Sequence, residues 1–318
     1  MRVESETALH SDTSKAPAKS RRFGRSLKSR DRIAFVILIL PAVIWFLALM
    51  IWPIINMFYV SLLKWNGLLR DQTFIGLQNY VQLLTNDPNF WQAMRNTGVH
   101  LLVGLPSAMI IAFMLGFFLS LRLPGHRVFR VIFFSPVMIS AAGAAMMFVG
   151  VYMPNGILNT LLSAVGLENL RRLWLGDPSV ALGAVIGADV WASIGFQSMM
   201  FYAALSGISR EYYEAARIDG AGNWTIMWRI AFPLIIDIFG VLLMLRTLWI
   251  LLGSAQVVLL LTQGGPGNAT LTLGYYLYQE AFLTQRLGYS QAIAVIAFII
   301  GIICIWLIRR LTRRSYQL

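Results

Sequence analysis

Apolar residues gather in long runs near positions 33–63, 97–121, 128–152, 179–207, 230–261 and 287–308, separated by shorter polar connections. The hydrocarbon core of a bilayer takes about 20 apolar residues of helix, so the pattern predicts an all-α membrane protein of about six transmembrane helices. The first run is too long for the apolar part of a cleaved signal, and Pro41 and Pro53 within it predict kinks. Ahead of it, residues 1–32 are polar and lack any hydrophobic period. They hold nine Lys and Arg, from Arg2 to Arg32, and predict a disordered basic tail. The expected organisation is this tail over 1–32, a transmembrane domain over 33–308 and a second tail over 309–318.

Composition agrees with a bilayer setting. The 318 residues are 58% hydrophobic and 13% charged, with a mean hydropathy of +0.67, too apolar to leave an ordinary soluble surface. A net charge of +12 would suit nucleic acid, but no polar domain remains to carry it once the apolar runs are removed. The charge reads instead as topology. An even number of spans puts both termini on one side. Nineteen of the 26 Lys and Arg fall in the N-terminal tail, around Arg122, Arg127 and Arg130, around Arg210, Arg217 and Arg229, and at Arg309, Arg310, Arg313 and Arg314. The opposite side holds Lys64, Arg70, Arg95, Arg171, Arg172 and Arg286. Basic residues concentrate in cytoplasmic connections, so both termini are expected in the cytoplasm.

Catalytic chemistry is hard to build here. Cys304 is the single cysteine, so one chain forms no disulfide or CxxC site. His10, His100 and His126 form no HExxH or paired metal signature. No GxxxxGK[ST] phosphate loop occurs, so ATP is not expected to bind this chain, and no cofactor or metal of its own is expected. A membrane-embedded hydrolase would need convergent His, Asp or Glu groups that the sequence does not offer.

The most distinctive segment lies between the fourth and fifth runs: EYYEAARIDGAGNWTIMWRIAFPLI, residues 211–235. Glu214, Ala215 and Ala216 begin a helix with a small-residue face, Asp219 and Gly220 break it, and Asn223 caps a second helix running toward Pro233. This order of EAA, DGA, an aromatic-basic stretch and proline resembles the cytoplasmic coupling loop of ABC importer permeases, here about residues 208–229, with Phe232-Pro233 where the family usually has Leu-Pro. The segment TFIGLQNYVQLL, residues 73–84, resembles the FxGLxNY stretch of carbohydrate-importer permeases. Residues 262–270, TQGGPGNAT, resemble their external LTxGGPxxAT loop, with Gly264, Gly265 and Pro266 shaping tight backbone. Nearly all of the chain after the tail is thus similar to a permease subunit of a bacterial carbohydrate-type ABC importer, of the maltose, multiple-sugar and glycerol-phosphate kind. That resemblance implies a multi-pass protein of the bacterial inner membrane that imports a sugar or sugar-like solute by alternating access. It also implies an ABC ATPase dimer that consumes ATP and Mg, a second permease chain and an extracytoplasmic solute-binding protein, with no nucleic acid. The coupling residues would be Glu214, Ala215, Ala216, Asp219 and Gly220.

A path for a hydroxyl-rich solute needs polar or aromatic groups within the spans, where charge facing lipid is costly. Asp189, Gln197, Arg246 and Gln256 are the polar candidates, and Trp191 and Tyr202 the aromatic ones. For Asp189 and Arg246, a structural ion pair or an end-of-helix snorkel is an equal alternative. An importer permease for another solute class shares the EAA loop, and an ion-coupled secondary transporter would suit six kinked spans but leave that loop unexplained.

Overall fold

The computed structural model describes residues 29–67 and 72–312 of the chain, with side chains from Phe35 onward. It divides into two compact units, residues 1–53 and 54–318. The described part of the first is a helix over Ser29–Phe46 containing Pro41, a π-helical turn over Leu47–Ile51, and Trp52 and Pro53 at the start of the next helix. Residues 29–32, expected in the tail, are therefore helical, while the rest of the expected tail lies outside the described residues.

Six helical runs among the described residues are long and apolar enough to cross a membrane: Phe35–Val60, Pro88–Ser120, Ala141–Ala164, Ala181–Ser206, Ile236–Leu261 and Leu287–Thr312. Three boundaries differ from the sequence reading, each for a local reason. The second span starts at Pro88 rather than near 97, because the Asp87 carboxylate accepts from the Phe90 N–H at 3.1 Å and Pro88 takes the first helical position. The apolar run 128–152 is not one helix. Pro136 lies near the end of a helix over His126–Met138, Ile139 is extended, and Ser140 caps a new helix over Ala141–Tyr152 by accepting from the Gly143 N–H. The last helix continues to Thr312, past the expected end at 308.

Proline shapes the helices in a recurring way. The π-helical turns Leu47–Ile51, His100–Gly104 and Met227–Ala231 each end two residues before a proline, Pro53, Pro106 and Pro233. A proline ring removes one N–H and crowds the carbonyl four residues back, and one wider turn just ahead of it relieves that crowding without ending the helix.

Within residues 54–318, two apolar cores sit toward opposite ends of the spans. At the end of the second and fourth spans, Met109, Phe113 and Phe117 pack with Phe201, Leu205, Ile226 and Met227. The Phe113 ring lies 5.7 Å from that of Phe201 and 5.5 Å from that of Phe232, both edge to face. At the other end, Leu83 and Phe90 pack with Leu271, Leu273, Tyr275, Tyr276 and Tyr289.

This second end is fastened by polar groups as well. Asn79, from the FxGLxNY stretch, donates to the carbonyls of Ser61 and Leu63 at 2.8 and 3.0 Å, while the Tyr80 hydroxyl pairs with Ser61 at 2.6 Å. The Asn79 amide therefore takes up carbonyls left open where the first span ends. Asp87 accepts hydrogen bonds from the hydroxyls of Tyr276 and Tyr289. Burial, and then the Asp87 hydrogen bond, push the Tyr276 hydroxyl well above the ordinary tyrosine range.

A raised folded value means that Tyr276 stabilises the fold fully below the unfolded tyrosine value, about pH 10, and that this stabilisation is lost as pH climbs toward the folded value. Thermal unfolding of the purified protein in detergent, followed from about pH 8 to about pH 11, is expected to show a falling Tm. Tyr276→Phe is expected to start lower, by about 1.5–3 kcal/mol for a hydrogen bond to a charged group, and to fall less steeply; an unchanged slope would remove Tyr276 from the account.

Candidate functional site

The fourth span carries Asp189 in its first half, and the structure surrounds that carboxylate with donors. Arg246, one helix away on the fifth span, directs Nη1 to Oδ1 at 3.4 Å, and its Nη2 bonds Oδ2 and, at 3.4 Å, the Asp189 carbonyl. His100 on the second span meets Oδ2 through Nε2 at 2.8 Å. The Trp249 indole N–H donates to Oδ1 at 3.1 Å. Asp189, Arg246 and His100 are all buried, at 2%, 5% and 1% exposure, so this is an internal ion pair rather than a snorkelling one. A buried charge without such partners would be prohibitively costly.

Two of the four residues escape a reading by polarity alone. His100 opens the π-helical turn His100–Gly104, and Trp249 opens another, Trp249–Gly253. Each turn closes on a glycine that lets the ring lie flat against it. A Cβ on Gly104 would stand 2.4 Å from His100 Cδ2, and one on Gly253 would stand 2.6 Å from Trp249 Cε3. Both rings are followed four residues later by glycine inside an apolar run, a spacing that Trp191 and Gly195 share, so the spacing alone does not single them out.

The cluster forms part of the wall of a cavity of about 410 Å³. Asp189, Gln197, Arg246 and Gln256 all line it, with Phe148, Phe196 and Trp249 as aromatic wall. Gln197 is buried and its Oε1 has no hydrogen-bond partner, nor has Arg246 Nε. The other two expected path residues stand elsewhere. Trp191 packs its ring 5.2 Å from that of Phe148, beside Tyr152 and Trp174. Tyr202, a helical turn and more beyond Gln197, is half-buried and is not among the lining residues. Neither is among the residues that line this cavity.

The segment between the fourth and fifth spans is a helix-turn-helix. Its first helix, Arg210–Ile218, begins four residues before Glu214 because the Ser209 hydroxyl caps it, accepting from the Glu211 N–H at 3.4 Å. It ends in a left-handed Gly220, φ +78°. There Gly220 N–H bonds the Arg217 carbonyl at 3.0 Å and Ala221 N–H bonds that of Ala216 at 2.9 Å, the paired closure that such a glycine permits. Gly222 occupies the capping position of the second helix, Asn223–Ile226, so Asn223 is its first residue and not its cap. Ala216 is buried in the same core as Phe113, while Glu214, Ala215, Asp219 and Gly220 are exposed. Tyr212, Ile218 and Trp224 are also exposed, at 57%, 87% and 60%.

At the far end, the loop 262–270 is bound to the second span. Asn96 Nδ2 donates to the carbonyls of Asn268, Ala269 and Leu271 at 3.3, 3.0 and 2.8 Å, and the Thr97 hydroxyl accepts from Leu273 N–H. Gly264 takes φ +83°, Gly265 does not need positive φ, and the Gly265-Pro266 peptide is cis. The Thr270 hydroxyl closes the loop on the Gly265 carbonyl at 2.8 Å.

With this geometry in hand, relatives place the chain. Residues 18–316 match the family described as "Binding-protein-dependent transport system inner membrane component". The chain is 35% identical over 278 residues to the probable ABC transporter permease protein YurN of Bacillus subtilis (strain 168), covering 86% of this chain and 93% of that protein. It is 30% identical over 326 residues to the diacetylchitobiose uptake system permease protein NgcF of Streptomyces coelicolor, covering 94% and 90%. Among solved structures it resembles a bacterial ABC transporter involved in the import of the acidic polysaccharide alginate, with a TM-score of 0.73, 26% identity and coverage of 91% and 97%. The chain belongs to the binding-protein-dependent transport inner membrane component family; it is a multi-pass membrane protein and a permease subunit of an ABC importer.

The ion pair makes a double-mutant cycle informative. Asp189→Leu is expected to destabilise the protein by about 3–5 kcal/mol, because it strands Arg246 inside the bundle. Asp189→Leu with Arg246→Met is expected to recover most of that loss, since both charges leave together. Thermal unfolding in detergent reads both; additive losses would mean that the two residues do not stabilise each other.

Proposed function

We propose that this permease subunit imports a sugar or sugar-like solute into the cytoplasm, and that ATP and Mg are consumed by a partner ATPase dimer which acts on it through the helix-turn-helix around Glu214. The observation that carries the coupling half is the exposed face of that element. Ala216 roots it in the apolar core beside Phe113, while Tyr212, Ile218 and Trp224 stand out beside Glu214 and Asp219. Large apolar side chains on a polar connection between spans suit a soluble protein partner rather than lipid or water. Glu214 is the polar anchor, exposed Ala215 allows close approach, and Gly220 fixes the turn. Ala216 serves the same contact from beneath, by holding the helix against the bundle.

The distribution of basic residues supports the side on which this occurs, with both termini and the coupling element in the cytoplasm of a bacterial cell. One coupling element per chain, against an ATPase dimer with two docking clefts, calls for a second permease chain. Solute would be delivered by an extracytoplasmic binding protein to the end carrying the loop 262–270, where Gly264, Gly265 and Pro266 shape a surface held in place by Asn96. Within the bundle, the cavity of about 410 Å³ is in the size range of small-molecule sites. Its aromatic wall and amide groups suit the apolar ring faces and hydroxyls of a saccharide. Asp189, Gln197, Arg246 and Gln256 supply the polar part of that path. ATP-driven closure of the ATPases would displace the coupling helix and turn the cavity outward, and hydrolysis would return it.

Purification of the tagged chain from its native membrane is expected to recover an ABC ATPase and a second six-span permease. Glu214→Arg combined with Gly220→Val is expected to leave membrane insertion and abundance intact while lowering ATPase recovery at least about tenfold, equivalent to about 1.4 kcal/mol of contact energy. Undiminished ATPase recovery from that variant would overturn the coupling assignment.

A further inference from the structure

The names of related proteins leave one property of the solute open, because one is an uptake system for diacetylchitobiose and another an importer of an acidic polysaccharide. The first solute is uncharged and the second carries carboxylates. The wall of the cavity distinguishes them. Among the described residues, its lining ionic side chains are Asp189 and Arg246, and these are committed to each other through both carboxylate oxygens. One negative and one positive charge cancel within the wall.

His100 is not among the residues that line the cavity, and its Nε2 is turned to the Asp189 carboxylate. The other polar side chains of the wall are neutral, Ser193, Gln197 and Gln256, and they share it with Phe196 and Trp249. A hydroxyl both donates and accepts, as amide and serine side chains do between them, so sugar hydroxyls match this wall. A carboxylate only accepts. It would give up its hydration on entering the cavity and meet no unpaired cation in return.

We propose that this cavity is a binding site for uncharged saccharide rings, with Asp189 acting as the specificity-determining residue because it neutralises Arg246. The proposal rests on the saccharide reading given above. Removing the Asp189 charge while keeping its shape would expose an unpaired guanidinium to the cavity and shift the preference toward anionic sugars. Gln197 contributes affinity for hydroxyls and has no part in choosing charge.

The test uses the intact complex of permeases and ATPases in lipid nanodiscs, without the solute-binding protein, so that binding reports on the membrane subunits. The probes are matched pairs that differ only in a CH₂OH or a carboxylate: the methyl glycosides of glucose, galactose and mannose with their glycuronides, and cellobiose with its uronate. The wild-type complex is expected to hold at least one neutral member at least about tenfold more tightly than its acid, a difference of about 1.4 kcal/mol. Asp189→Asn is expected to narrow or reverse that ratio by a similar factor. Gln197→Leu is expected to weaken the neutral member by about tenfold and leave the ratio in place.

Wild-type complex that binds the acid as tightly as the neutral sugar overturns this proposal and leaves the importer reading standing. So does folded Asp189→Asn with an unchanged ratio. If Asp189→Asn does not fold, Gln197→Leu decides: undiminished neutral binding in that variant overturns the site. Binding of no pair by the intact complex overturns the saccharide reading itself, and this proposal with it.

Discussion

A single carboxylate inside the bundle constrains the rest of it. Asp189 lies inside an apolar span, where a charge without partners would be costly enough to change the fold. The solution draws donors from three directions: His100 from the second span, and Arg246 and Trp249 from the fifth. Those bonds hold the second and fifth spans at fixed depth and rotation about the fourth. A helix rotated by one residue would carry its donor away by about 100°, so the arrangement fixes register as well as proximity. The cavity follows from the same constraint, since the side chains next to the cluster on the fourth and fifth spans are the ones that form its wall.

The backbone is adapted to this demand. In a regular helix, His100 and Trp249 would each project over the turn beside them. The wider π-helical turns that they open, each ending on a glycine, give their rings room to reach Asp189. Pro106 lies just beyond the first of these turns, so the distortion that aims His100 also absorbs a missing N–H. No proline lies just beyond the turn that Trp249 opens, where the indole ring lies against Gly253.

Long-range features were legible in the sequence where the physics is additive over many residues. Six apolar runs yield six spans because hydrocarbon thickness sets one length for all of them. Asp189 and Arg246 stood out because charge within such runs is rare, although polarity alone could not separate an ion pair from a path through the bundle. The structure shows that they are an ion pair and also part of a cavity wall. What the sequence concealed depends on single contacts. The break in the run 128–152 turns on Ser140 and Pro136, and the early start of the helix at Arg210 turns on the Ser209 hydroxyl. Trp191 and Tyr202 have the residue types of sugar-stacking groups, but rotation about the fourth span's axis points them away from the cavity, and hydropathy carries no record of that angle.

The two ends of the bundle are held by different forces. At the end that carries the loop 262–270, directional hydrogen bonds dominate, with Asn79 and Asn96 each binding several carbonyls and Asp87 binding two tyrosines. Such bonds weaken steeply with angle and distance, so that end resists small displacements. Where the helix-turn-helix joins the bundle, edge-to-face aromatic contacts among Phe113, Phe201, Phe232 and Phe239 dominate. Their energy varies slowly as rings slide past one another, because dispersion and burial are not directional. The push proposed for the element around Glu214 would therefore meet the yielding end first. The Asp189 cluster lies between the two ends and ties the second, fourth and fifth spans to one another, since any relative shift of those spans would expose a buried charge.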